Sequence, residues 1–271
     1  MVNATYEAVP GFFLQDGPSC NPEIIGATPP RFGLIDESPD RWTKFEAAVT
    51  KLNADAGEGT SYKAFILGRH GEGWHNVAEA KYGTKAWDDY WSKLDGDGEI
   101  VWGPDPELTP LGQSQAALVK ALLDAEVEAG FPIPDTLYSS PMTRALQTLV
   151  GTFGDERDTL ILENIREHYG EHTCDKRRPL SYIRHAFPKF RVETGFSEED
   201  ALWTEEREAE AHVAERARMV LDTIFDQDDR WLVSITSHSG WINGLLSAIG
   251  RERYKLPTGG VLPVVVKQIR R

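Results

Sequence analysis

Two arginines, two histidines and a glutamate stand in this chain where chemistry on an anion can be built. Arg69-His70-Gly71 follows an apolar run, Ala64 to Leu67, that reads as a short buried strand stopping at Gly68. Arg144 opens a helix just after the strand-like Thr136-Leu137-Tyr138-Ser139-Ser140. His238 follows the run Trp231 to Thr236, and Glu167 lies just past a further strand, Thr159 to Leu162. Ligands of open α/β sheets bind outside the carboxyl ends of the strands, so these strand ends are candidates to converge.

Such a set suits phosphoryl transfer. Two planar guanidinium forks match the oxygens of a phosphate through charge-assisted hydrogen bonds. An imidazole among them can attack phosphorus and later depart. A second imidazole, as the cation, can bond the equatorial oxygens whose charge must be stabilised. A carboxylic acid can protonate the leaving alkoxide and, once ionised, take a proton from water. The scheme requires no metal and no cofactor. Residue chemistry alone does not choose between His70 and His238 as the nucleophile.

The elements that must position these groups alternate. Helices are expected over Arg41–Asn53, Gln113–Gly130 (Thr109 or a neighbour as N-cap, Pro110 near its first turn), from Pro141–Arg144 to about Phe153, Thr204–Phe225 and Trp241–Ile249. A last strand spans Val261 to Ile269, with Pro263 marking an edge or a strand start. This alternation predicts an α/β fold, a three-layer αβα sandwich on a mostly parallel sheet. Residues 1–271 are read as one domain, with 1–60 as a packed N-terminal arm and helix. Insertions at 77–107, rich in Trp, and at 171–203 would form a cap above the carboxyl edge.

With 271 residues and 40% apolar content the chain can bury a real core. A net charge of -14 argues against a nucleic-acid or anionic-membrane surface, though not against a locally basic pocket. Two widely separated cysteines, Cys20 and Cys174, favour free thiols and a reducing compartment. No signal-like leader or apolar span stands out, so a cytoplasmic, possibly also nuclear, location is expected. The partner is read as a small phosphorylated metabolite.

Arg69-His70-Gly71-Glu72-Gly73-Trp74-His75-Asn76 resembles the RHG-x-x-x-x-N signature of the histidine phosphatase superfamily, the phosphoglycerate mutase-like family. Thr136 to Thr148 resembles its SSPxxRAxQT segment, Ile165-Arg166-Glu167 its L-R-E donor segment, and Ser237-His238-Ser239-Gly240 its SHGG motif. Leu108-Thr109-Pro110-Leu111-Gly112-Gln113 resembles its LTxxGxxQ helix start, and Gly11-Phe12-Phe13, the Trp-rich stretch and His172 to Arg178 resemble a fungal branch. The resemblance implies that His70 is the phosphorylated nucleophile and Glu167 the proton donor. Arg69, Arg144 and His238 complete the catalytic pocket, and Asn76 bonds phosphate oxygens. Gly71, Ser239, Arg177 and His172 join Asn76 in the expected substrate-binding set. Ser239 stands where the family has glycine. Aligned on Tyr169-Gly170 with the NERHYG of the mutases, Arg166 takes the donor place; aligned on Arg-Glu, Glu167 does.

The implied activity is metal-independent phosphomonoester hydrolysis through a phosphohistidine. A mutase-like phosphotransferase uses the same site, and a catalytically inactive phosphate-binding module has the same fold. His168-Tyr169-Gly170-Glu171-His172 also fits the H-x-x-E-H zinc-peptidase pattern, which needs a helix that Gly170 and Pro179 disfavour. The basic stretch Lys176–Arg191 reads equally as a solvated, internally paired face or as a cationic cap gripping a second anionic group.

Overall fold

The computed structural model describes residues 4–17 and 20–270. Strands β1 (Ala4–Ala8), β2 (Thr60–Arg69), β3 (Thr136–Ser139), β4 (Asp158–Ile161), β5 (Arg191–Val192), β6 (Leu232–Ser237) and β7 (Val261–Arg270) form one sheet in the order β1-β7-β2-β6-β3-β4-β5. The pairs β2/β6, β6/β3, β3/β4 and β4/β5 are parallel, and only β1/β7 and β7/β2 are antiparallel. The helices are α1 (Pro22–Ile25), α2 (Arg41–Ala54), α3 (Trp74–Tyr82), α4 (Thr84–Asp89), α5 (Pro110–Glu128), α6 (Thr143–Phe153), α7 (Leu180–Ala186), α8 (Glu210–Gln227) and α9 (Ser239–Ala248).

Strand periodicity divides the core between two faces. Phe65 and Leu67 of β2 pack with Val264 and Val266 of β7 against Val213, Leu221, Trp241 and Leu245 of α8 and α9. The alternate residues Ala64, Ile66 and Val265 face Trp42, Phe45 and Val49 of α2 and Val119 and Leu123 of α5. Helices on both faces of a mostly parallel sheet make the expected αβα sandwich.

Several details differ from the sequence expectation. The N-terminal arm contributes an edge strand, β1, and packs Phe13, Phe32 and Leu34 under α2. Pro263 lies in a strand flanked on both sides, but β1 ends its register at Val266, so at Pro263 only β2 is alongside. The helix expected from Thr204 starts at Glu210, leaving 204–209 as an irregular segment. Leu180–Ala186 is also helical, inside the 171–203 insertion, where no helix was expected.

The two insertions pack on each other. Trp87, Trp102, Ala78 and Cys174 form a separate apolar cluster with Tyr82 and Trp91. The Thr173 hydroxyl donates to the Leu94 carbonyl at 2.6 Å, and within the second insertion Trp203 Nε1 donates to the His172 carbonyl at 2.9 Å. Beneath them runs a buried ion network. Arg166 is fully buried and bonds both oxygens of Asp200 at 2.7 Å, plus Glu163 and the Asp175 carbonyl. Removing one partner of such a pair strands a buried charge. Asp200→Ala is therefore expected to lower unfolding stability by about 3–5 kcal/mol in urea titration, and a loss under ~1 kcal/mol would contradict this role.

Candidate active site

The parallel register sets the site. Arg69 pairs with Ser237 and Ser139 with Thr236, so three strands end level. Backbone bonds continue past them, from His70 N–H to the Ser237 carbonyl at 2.9 Å and from Ser140 N–H to the Thr236 carbonyl at 3.0 Å. The segment after β6 brings His238 against His70, with ring centroids 5.0 Å apart, and His75 of α3 lies 5.4 Å from His70 on another side.

The turn after β2 is clamped by α5 and α6. Gly71 and Gly112 meet backbone to backbone: a methyl on Gly71 would lie 2.4 Å from the Gly112 carbonyl oxygen, and one on Gly112 2.1 Å from that of Glu72. Gly71 therefore serves close chain-to-chain contact. Its N–H donates to the Thr148 hydroxyl at 2.9 Å, which donates to the Arg144 carbonyl at 2.7 Å. Glu72 N–H donates to Gln115 Oε1 and the Thr109 hydroxyl to Glu72 Oε1, each at 2.7 Å. Thr109 also caps α5 by accepting from Gly112 N–H at 3.0 Å. The start of α6 is held by Asp105, fully buried, which accepts from the Thr143 N–H and hydroxyl at 2.9 and 2.7 Å. Arg144 is fixed in turn by the Cys174 carbonyl and Asp175 Oδ1, both at 2.7 Å.

A cavity of about 260 Å³ opens above this floor, lined among others by Arg69, His70, His75, Asn76, Arg144 and Glu167. His238 is fully buried beside His70 and does not line the cavity. His70 Nδ1 lies 2.7 Å from the Gly71 carbonyl, which can only accept, so Nδ1 carries the proton and Nε2 keeps its lone pair. Burial, with the cations of Arg144 and Arg69, holds the His70 imidazole well below its ordinary range. Burial, Arg144 and His70 do the same to His238, so it is neutral rather than the cation expected from sequence. Its Nε2 bonds the Ser140 hydroxyl at 2.7 Å and its Nδ1 has no partner. Arg69 Nε, Arg144 Nε and His75 Nδ1 are likewise buried without acceptor or donor. Buried polar atoms are seldom left unpaired, so this group marks a place for an anion.

Glu167 lines the cavity, whereas Arg166 is turned into the ion network, so Glu167 is the carboxyl at the site. Burial alone would raise its pKa. The hydrogen bond from His168 at 3.1 Å, the neighbouring imidazoles of His238 and His168, and the bond from Gly240 N–H at 2.9 Å together outweigh burial and hold it well below the usual range. Gly240 was not singled out in the sequence beyond its motif, yet a Cβ there would stand 2.0 Å from Glu167 Oε1. Ser239 at the preceding position is half-buried and does not line the cavity. Asn76 lines it and accepts from Gly73 N–H at 3.0 Å, capping α3. His172 lines it beside Trp87.

Arg177 is corrected. It is buried outside the cavity, and every guanidinium nitrogen is occupied: Nε by Glu163, and the two Nη by the carbonyls of Arg178, Ser197, Glu198 and Glu199 and the Ser197 hydroxyl. Other basic residues of that stretch pair with Asp155, Glu156 and Asp158 or lie over aromatic rings. The zinc-peptidase pattern fails on geometry, because Glu171 and Gly170 both have positive φ and no helix spans 168–172. His172, Cys174 and Asp175 bring ligand atoms within 4.8 Å. However, both Asp175 oxygens face guanidinium groups, and burial pushes the Cys174 thiol well up, which disfavours a cation there.

Gly240→Ala is expected to displace the Glu167 carboxylate and lower kcat for a phosphomonoester by ~10²-fold with unchanged circular dichroism. Wild-type kcat in that variant would show that the close packing is not needed.

Residues 65–258 match the histidine phosphatase superfamily (branch 1). The chain is 40% identical to the "Probable phosphoglycerate mutase" of Arthroderma benhamiae, over 97% of this chain and 84% of that protein. It is 36% identical to the "Probable phosphoglycerate mutase PMU1" of Saccharomyces cerevisiae, over 76% of this chain and 79% of that one. A solved putative alpha-ribazole-5'-P phosphatase from Escherichia coli superposes with a TM-score of 0.48 at 17% identity, covering 75% of this chain and 90% of that chain. The family match and the two sequence alignments establish that the chain belongs to the histidine phosphatase superfamily, in a phosphoglycerate mutase-like fungal branch of phosphatase- and mutase-type enzymes.

Proposed function

We propose that the protein is a phosphomonoester hydrolase that acts on a small phosphorylated metabolite without a metal ion, through a phosphohistidine at His70. The observation that carries this is the neutral His70 ring, its Nδ1 proton tied to the Gly71 carbonyl, under the charge of Arg144 and Arg69, whose Nε atoms are buried and unpartnered. The substrate phosphate sits between Arg69 and Arg144, beside Asn76, with His238 buried next to His70. The Nε2 lone pair attacks phosphorus as the ester P–O bond breaks, and the departing oxygen takes its proton from Glu167. Water then attacks the phosphohistidine. Glu167 removes a proton from that water, the P–N bond breaks, and its electron pair returns to Nε2.

Two electrostatic requirements follow. The guanidinium groups offset the charge that spreads over the phosphoryl oxygens. Glu167, whose hydrogen bonds favour the ionised form, must hold a proton in the first step, and the negative charge of an arriving phosphate raises its pKa in that direction. The ionised form that its hydrogen bonds favour suits the hydrolytic step. A mutase is the alternative use of the same site, returning the phosphoryl group to a second hydroxyl.

His70→Ala is expected to abolish release of inorganic phosphate from phosphomonoesters, while the wild-type protein keeps full activity in EDTA. Retained hydrolysis in His70→Ala, or loss in EDTA, would falsify the reading. Isomerised phosphate ester in place of free phosphate identifies the mutase.

The depressed His70 pKa sets the acid limb. An aryl phosphate needs no proton on its leaving group, so its kcat/KM, corrected for substrate ionisation, is expected to stay level through pH 6.5 and fall only below it. An inflection at 6.5 or above would contradict a neutral, desolvated His70.

A further inference from the structure

Glu167 must hold a proton for the first step of the proposed reaction, although its surroundings favour the carboxylate. Three donors face it. Oε2 accepts from the Gly240 N–H at 2.9 Å, and Oε1 accepts from the His168 N–H at 3.0 Å and from His168 Nδ1 at 3.1 Å. Peptide N–H groups do not give up their protons in this range, so neither backbone donor can supply one. The His168 imidazole is the donor of the three that can.

The ring is held in place for that exchange. It lies against the first turn of α9, where a Cβ on Gly240 would stand 2.4 Å from His168 Nδ1 and 2.6 Å from its Cε1. Glycine at that position leaves room for the imidazole and the carboxylate together. Arg207 Nη1 donates to the His168 carbonyl at 2.9 Å and fixes the backbone from the 204–209 segment. His168 lines the catalytic cavity and also a second cavity of about 230 Å³ between α8 and α9, walled by Glu210, Asn243, Ser247 and Arg253. The charged groups around the ring are Glu167 on its own segment, Arg207 beside it, Glu210 of α8 and Arg253 beyond α9; the last two pair with each other at 2.6 Å. Nε2 of the ring has no partner among the described residues, and the side chain keeps 17% of its surface exposed.

We infer that His168 is a positioning residue that orients Glu167 and exchanges a proton with it, with the second cavity as the route to solvent. This rests on the phosphomonoester reading above. When phosphate fills the catalytic cavity, the Nδ1 proton passes to Glu167 Oε1 and Nε2 takes a proton from solvent. Glu167 then gives its proton to the departing oxygen. In the hydrolytic step Glu167 takes a proton from the attacking water and returns it to Nδ1, while Nε2 releases its own. Ring and carboxylate end the cycle as they began it. The first histidine of the H-x-x-E-H pattern thus serves proton transfer and not a metal.

The test separates leaving groups. An alkyl phosphate needs a proton on its departing oxygen, an aryl phosphate does not, and kcat/KM reports the step that forms the phosphohistidine. His168→Asn keeps an N–H donor for Glu167 but cannot pass a proton through. The ratio of kcat/KM for ethyl phosphate to that for 4-nitrophenyl phosphate is therefore expected to fall by at least about 10-fold in His168→Asn. Glu167→Gln should lower the same ratio at least as far, and the double variant no further, because both residues act on one proton. Equal losses on the two substrates, or losses that multiply in the double variant, would mean that His168 only props the site, and overturn the inference. Nitrogen NMR of the isotope-labelled full chain, assigned with His168→Asn, reads the proton without turnover. Adding inorganic phosphate is expected to move it from His168 Nδ1 to Nε2, and a ring that keeps its Nδ1 proton overturns the inference even if no ester is hydrolysed. Failure of the phosphomonoester reading looks different: the wild-type protein then releases alcohol from neither ester.

Discussion

The site is organised by buried positive charge that lacks its full complement of anions. Arg69 and Arg144 are desolvated beside three imidazoles, and Glu167, Glu79, Asp105 and Asp175 offset them only in part. The cost of that arrangement keeps all three histidines neutral and leaves several nitrogens without partners. Charge supplied by a phosphate relieves each of these at once. The same imbalance keeps His70 in the form that the proposed phosphohistidine chemistry needs: protonating it would add another cation to the cluster.

The fold exists around this imbalance as a set of tight backbone contacts. Level strand ends put His70, Ser140 and His238 side by side. The Gly71–Gly112 contact and the Thr148 hydroxyl then join the β2 turn to α5 and α6, so Arg69 and Arg144 cannot drift apart independently. The cap is held by its own ion network around Arg166, Arg177, Glu163 and Asp200. Asp175 links cap to floor, because its two oxygens join Arg144 below to Arg207 above.

Arg69, His70, Arg144, His238 and Glu167 were legible in the sequence because each follows a short apolar run, and topology gathers the ends of parallel strands. The sandwich was legible for the same reason. Arg177 was misjudged because a basic stretch records charge and not partners, and Glu163 with the 197–199 carbonyls lies far from it in sequence. Arg207 was hidden by composition: Thr204 to Phe225 reads as one acidic helix, but the chain turns in at 204–209 before α8 begins. Asp105, which caps α6 from a distant loop, leaves no periodic signal. Gly240 had its motif as a signal, though its reason, room for the Glu167 carboxylate, needs three dimensions. Strand β1 in the arm pairs with β7 near the far end of the chain, a partnership no local pattern announces.

The central claim is that Nε2 of His70, and no other imidazole of the cluster, carries the phosphoryl group. It is tested most directly by quenching the enzyme in alkali during turnover of a radiolabelled phosphomonoester and mapping the label. The account predicts acid-labile, base-stable label on the peptide containing His70, attached at Nε2. Label on the His238 peptide, or active turnover with no trapped phosphoprotein, would contradict it.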